Sequence, residues 1–170
     1  MTLAELNAMD RAGFVAALGG VFEHSPWVAE RAFAARPFAS VEALHRAMAG
    51  AMHGASADEK LALIRAHPEL AGRAMVRDEL TADSSAEQSG AGLTRCSPAE
   101  FARLTDLNAR YNAKFGFPFI LAVKGYDRAG VIAEFARRVE RDADAEFAEA
   151  LAQIARITRF RLAEKLPDDA

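Results

Sequence analysis

Apolar residues recur at helical spacing along nearly the whole chain, and that pattern is broken only once, by an aromatic-rich stretch over residues 115–123. Spacing of three and four residues puts apolar side chains on one face of a helix, so one segment after another demands a helical partner surface. Start signals agree. Ser97-Pro98-Ala99-Glu100 combines an N-cap, a first-turn proline and a capping box ahead of Phe101, Leu104, Leu107 and Tyr111. Ser56 with Glu59 is a second capping box, opening a helix through Leu61, Leu63, Ile64 and Ala66. Asp10, Ser40 and Asp127 can cap others, the first of them carrying Phe14, Leu18, Val21 and Phe22. Ser25-Pro26 reads as cap and first position of a helix over 27–35, and a short helix is expected over 70–75. Ser84 would begin another, and the last runs from about 144 to 166.

The expected fold is therefore all-α: a single domain, residues 1–170, of about eight helices with one extended, buried segment near residues 115–123, and not an α/β fold. The 51% hydrophobic and 26% charged residues exclude a disordered chain. A net charge of -3 offers no broad basic field for nucleic acid or an anionic membrane surface. With a single cysteine, Cys96, the chain can form neither an internal disulfide nor a Cys-rich zinc site. Neither a signal peptide nor an apolar run of roughly 18 residues is visible, so a cytoplasmic location is expected.

Three polar residues stand at the ends or inner faces of these helices. Pro68 disfavours helical backbone at His67, which puts the imidazole at the end of the Ser56 helix. There the unpaired carbonyls favour its protonated form and burial opposes it. Glu87 follows Ser84, with Gln88 beside it. On the last helix Phe147, Leu151, Ile154 and Ile157 form an apolar arc, and at about 100° per residue Arg161 falls roughly 20° from Ile154, inside that arc. A buried arginine cannot shed its charge and must find a carboxylate, carbonyls or an anionic ligand. Each residue also fits a plainer role: His67 as a helix stop, Ser84 and Glu87 as a capping box, and Arg161 in a structural ion pair or snorkelling near a helix end. On the helix before, Arg137, Arg138 and Arg141 are expected mostly outward.

Other chemistries find less support. There is no phosphate-binding loop, no dinucleotide fingerprint and no Gly-x-Ser-x-Gly elbow. Cys96 lacks a basic setting. His45 and His53 could share a helix face, but a third metal ligand is not evident, and a solvated face is the simpler reading.

With these residues set out, the chain resembles the 2-oxo-4-hydroxy-4-carboxy-5-ureidoimidazoline (OHCU) decarboxylases of uric acid degradation. The blocks that carry the likeness are Phe22-Glu23-His24-Ser25-Pro26-Trp27-Val28, Arg36-Pro37-Phe38, Ala66-His67-Pro68-Glu69-Leu70, Ser84 with Glu87-Gln88, and Ala91-Gly92-Leu93. Asn108 through Tyr111, Lys114 through Ile120, and Ile157 with Arg161-Leu162 complete them. Glu69 stands where the family often has Asp, and the peroxisomal tail of many eukaryotic members is missing, which favours a bacterial-type enzyme. The resemblance implies an all-α homodimer that forms (S)-allantoin and carbon dioxide without cofactor or metal. It also implies His67 and Glu87 as catalytic residues, and a site lined by Pro68, Ser84, Gln88, Arg161 and backbone around Phe117, Phe119 and Ile120. The ligand would be the small ureidoimidazoline substrate, with no nucleic acid and no membrane.

Overall fold

The computed structural model describes residues 1–72 and 80–167. Those residues form α-helices and two short 3-10 turns, with no strand among them. In chain order the helices are α1 (Leu3–Ala8), α2 (Arg11–Leu18), α3 (Trp27–Ala32), α4 (Val41–His53), α5 (Ala57–Ala66), α6 (Ala82–Gly90), α7 (Pro98–Phe115), α8 (Arg128–Arg138) and α9 (Ala143–Lys165). The expected all-α class is what the chain adopts. No helix among the described residues is long and apolar enough to cross a membrane.

Two compact units make up the chain: Met1–Ala66 with the stretch from Ile154 onward, and His67–Gln153. The division falls within α9. In the first unit, α3 packs on α2 and α4, and Leu6, Phe14, Leu18, Leu44, Met48, Met52, Leu63 and Ile64 are wholly or almost wholly buried. Each such side chain stabilises the fold by about 1.5–3 kcal/mol relative to exposure. The second unit is built around Tyr111, whose ring lies 5.4 Å from Phe119 and 5.7 Å from Phe135, while Phe119 and Phe135 stack at 3.9 Å.

Most caps are where the sequence puts them. The side chains of Asp10, Ser40, Ser97 and Asp127 each accept a backbone N–H of the first turn. Two expectations need correction. α2 stops at Leu18, and Val21 and Phe22 are buried in the turn that follows rather than on the helix. Ser25 does not cap α3; its hydroxyl donates instead to the Glu23 carbonyl, at 2.9 Å. Of the segment expected to be helical over 70–75, Leu70 and Ala71 form a turn, and residues 73–75 lie outside the described residues.

The Ser56 box carries a pH dependence. Glu59 accepts the Ser56 N–H at 2.9 Å and also pairs with Arg31. The Arg31 hydrogen bond, followed by that of Ser56, holds the Glu59 carboxyl down from 4.5 to about 2. A depressed carboxylate contributes stability that is complete above the unfolded value and lost as pH falls through the folded one. Between pH 4.5 and about 2 the unfolded chain therefore binds a proton that the folded chain refuses. Urea midpoints over that window should fall less steeply in Glu59→Gln than in wild type; equal slopes would mean that the box carries no linked proton.

Candidate functional site

α5 ends at Ala66, and Pro68 forces the chain out of helix at His67, which opens the second unit with only 6% of its surface exposed. The turn that follows is clamped by side chains from two helices. Gln88 of α6 accepts the Ala71 N–H at 2.9 Å and donates to the Glu69 carbonyl at 3.3 Å. From α7, Asn108 donates to the Leu70 carbonyl at 2.9 Å and Asn112 to the Glu69 carboxylate at 2.6 Å. Ala71 sits at φ 50°, a left-handed conformation that costs a residue with a Cβ about 1–2 kcal/mol. A strained residue persists only where its surroundings hold it, and here four hydrogen bonds do so.

α6 begins one turn earlier than expected. Thr81 is its cap, accepting the Ser84 N–H at 3.2 Å, so Ser84 lies inside the helix and the Ser84–Glu87 capping box does not form. Four residues apart, Ser84 and Gln88 are both buried, and Glu87 is half-buried beside them. Polar groups in such positions need partners. Those of Gln88 are both in the turn after Pro68.

Glycine stops α7: Gly116, at φ 73°, takes the left-handed position that ends the helix. Beyond it Phe117, Pro118, Phe119, Ile120, Leu121, Ala122 and Val123 are all buried without helix or strand, as expected for residues 115–123 apart from Phe115 itself, which still belongs to α7. The backbone here is only partly occupied. Ile120 C=O accepts from Arg138 at 2.7 Å, Ala122 N–H donates to Gln153 at 3.0 Å, and Val123 C=O accepts from Tyr126 N–H. The N–H groups of Phe119, Ile120, Leu121 and Val123 have no hydrogen-bond partner among the described residues. Buried amides in that condition are rare and cost about 1–3 kcal/mol each, so a run of them is a ready receptor for the oxygens of a small anion.

The first unit holds the remaining candidate. Arg161, on α9, is 3% exposed and donates to Glu23 at 2.8 Å and to the Val21 carbonyl at 3.3 Å. Burial on the apolar arc is as expected, and the carboxylate that meets it is that of Glu23, in the turn between α2 and α3. Glu23 was not legible in the sequence: a turn has no periodicity to show which way a side chain faces.

Arg138 corrects another expectation. Instead of facing out it is completely buried, paired with the equally buried Glu146 at 2.9 Å. The signal was present, since Val131, Phe135 and Arg138 follow the spacing of a single helix face. Elsewhere, burial and then the charge of Glu100 push the Cys96 thiol up, which disfavours the reactive thiolate. His45 Nε2 meets the Ala155 carbonyl at 2.8 Å, His53 is exposed, and among the described residues no group of three or more His, Cys, Asp and Glu is arranged to hold a metal ion.

Comparison with known proteins places these features in a context. The family model for OHCU decarboxylase matches residues 7–163. The chain is 41% identical over 169 residues to a 2-oxo-4-hydroxy-4-carboxy-5-ureidoimidazoline decarboxylase of Haloferax volcanii, covering 99% of this chain and 98% of that one. It is 42% identical over 163 residues to the uric acid degradation bifunctional protein PucL of Bacillus subtilis, covering 96% of this chain but 32% of that longer protein. A crystal structure of (S)-allantoin synthase superposes with a TM-score of 0.77 at 31% identity, over 98% of this chain and 54% of that one.

Proposed function

This chain belongs to the OHCU decarboxylase family, and we propose that it converts OHCU into (S)-allantoin and carbon dioxide. The observation that carries the reading is the family match along residues 7–163, which runs through both compact units and supports treating them as one functional domain. The half-buried Glu87, the buried His67 and Arg161, and the run of undonated amides supply the kinds of group that such a reaction needs.

The substrate brings its own electron sink. When the bond to the carboxylate breaks, its electron pair moves into the ring towards the neighbouring imine, which takes up a proton. Protonation at the ring carbon and loss of the hydroxyl proton then leave the carbonyl of the product. The protein has to orient the ring, exclude water and move protons. His67 is the acid/base, taking the hydroxyl proton or delivering one to the carbon on a single face. Glu87 orients and charges His67, or presses against the departing carboxylate. Arg161 and the amides around Phe119 and Ile120 hold substrate oxygens and stabilise charge as it develops. Ser84 positions the ureido and ring amides. Gln88, with both ends of its carboxamide engaged in the turn after Pro68, acts on the substrate through that turn. Pro68 sets where His67 points, and the backbone at Phe117 completes the wall.

A homodimer in the cytoplasm is part of the same proposal, supported by the family resemblance and checked by light scattering. For the reaction itself, OHCU generated in situ from urate should release carbon dioxide at a rate proportional to added protein. Release no faster than spontaneous decay would refute it.

A further inference from the structure

Arg138 and Glu146 have no part in the chemistry above, yet both are completely buried. The guanidinium donates to the Glu146 carboxylate through Nε at 3.1 Å and Nη2 at 2.9 Å, and through Nη1 to the Ile120 carbonyl at 2.7 Å. It also lies 4.4 Å from the centre of the Phe119 ring. On its other side Glu146 accepts from Arg141 at 3.1 Å and from the Tyr111 hydroxyl. Burial, with the hydrogen bond and charge of Glu146, pushes the Tyr111 phenol well above its ordinary value and keeps it a donor.

Stability is a poor explanation for this arrangement. Taking two charges out of water costs several kcal/mol per ion, and a buried pair is often no more stable than apolar residues of the same volume. What the charged pair achieves, and an apolar pair cannot, is a directed hydrogen bond to one backbone carbonyl. In a trans peptide the C=O and the following N–H point in opposite directions. Holding the Ile120 carbonyl on Arg138 therefore aims the Leu121 N–H the other way. One residue on, the Ala122 N–H is taken by Gln153. Both peptide planes around Leu121 are thus fixed, while the N–H groups of Phe119, Ile120 and Leu121 donate to nothing among the described residues.

We propose that Arg138, backed by Glu146, is a positioning residue that holds the 119–123 backbone with its amides directed at substrate oxygens; this rests on the reading that the segment binds those oxygens. The preorganised donors are useful in the transition state only if their direction is set beforehand. Arg138 does this through the backbone and touches no reacting atom.

The test compares wild type with Arg138→Lys, which keeps a cation opposite Glu146 but loses the planar fork, and with Arg138→Met/Glu146→Leu, which removes both charges together. Folded fraction is read by circular dichroism, turnover of in situ OHCU as kcat and KM, and order in 119–123 by amide hydrogen exchange. In folded protein both variants should exchange faster at 119–123, and kcat should fall by about 10²-fold, the loss typical of removing one oxyanion donor. A folded Lys variant with wild-type kcat and exchange overturns the proposal, whether or not the double variant folds. Inactive wild-type protein would sink the decarboxylase reading instead, and exchange alone would then decide: unchanged exchange at 119–123 in the Lys variant still overturns the role of Arg138.

Discussion

His67→Asn is expected to lower turnover of OHCU by roughly 10²-fold or more while leaving the helical circular dichroism signal intact, the loss typical of removing a positioned proton-transfer group. Asparagine keeps a polar side chain at the bend after α5 but cannot exchange a proton near neutral pH. The turn that follows is held by Gln88, Asn108 and Asn112 through the backbone and side chain of Glu69, Leu70 and Ala71, and those four hydrogen bonds do not involve the imidazole. The local fold therefore has anchors that the substitution leaves alone, and the loss should fall on kcat. Wild-type turnover in a folded His67→Asn protein would remove His67 from the chemistry and leave it as a helix stop.

The second large effect is on stability. Glu23→Ala should destabilise the protein by about 3–5 kcal/mol, because it removes one half of a buried ion pair and leaves the other charge in place. Arg161 and Glu23 are 3% and 1% exposed at the side chain and 2.8 Å apart, so solvent screens them little. Equilibrium urea unfolding measures the cost, and a loss below about 1 kcal/mol would class the pair with exposed ones. Function separates the two roles of Arg161. In Arg161→Lys the charge opposite Glu23 survives and the planar fork does not, so a binding role predicts damaged turnover in stable protein. Unchanged turnover would make the pair purely structural.

Where a residue type at a given spacing has only one physical outlet, the sequence was enough. Ser97-Pro98 with Glu100 starts a helix and does so here. Arg161 falls on an apolar arc, where burial calls for a partner, and it is buried against Glu23. The buried segment after Gly116 followed from aromatics interrupted by glycine and proline. Where two registers fit equally well, the reading failed. Thr81 and Ser84 are both followed three residues later by a polar side chain, and α6 is so poor in apolar residues that no periodicity chooses between them. Tertiary partners were out of reach for a different reason: that Glu23 meets Arg161, or that Asn112 reaches Glu69, depends on chain paths that local spacing does not encode. Arg138 was legible by the same helical-face argument that found Arg161; what stayed hidden was the carboxylate of Glu146 that makes its burial tolerable.

The measurement that bears most directly on the central claim is circular dichroism of the allantoin formed from in situ OHCU. Uncatalysed decay has no preferred face, whereas an enzyme that delivers the proton from one side makes one hand of the product. Wild-type protein should give a rapid, one-handed (S)-allantoin signal whose rate scales with protein concentration. Racemic product forming at the uncatalysed rate would contradict the account and leave an all-α protein whose buried histidine and undonated amides serve some other small anion.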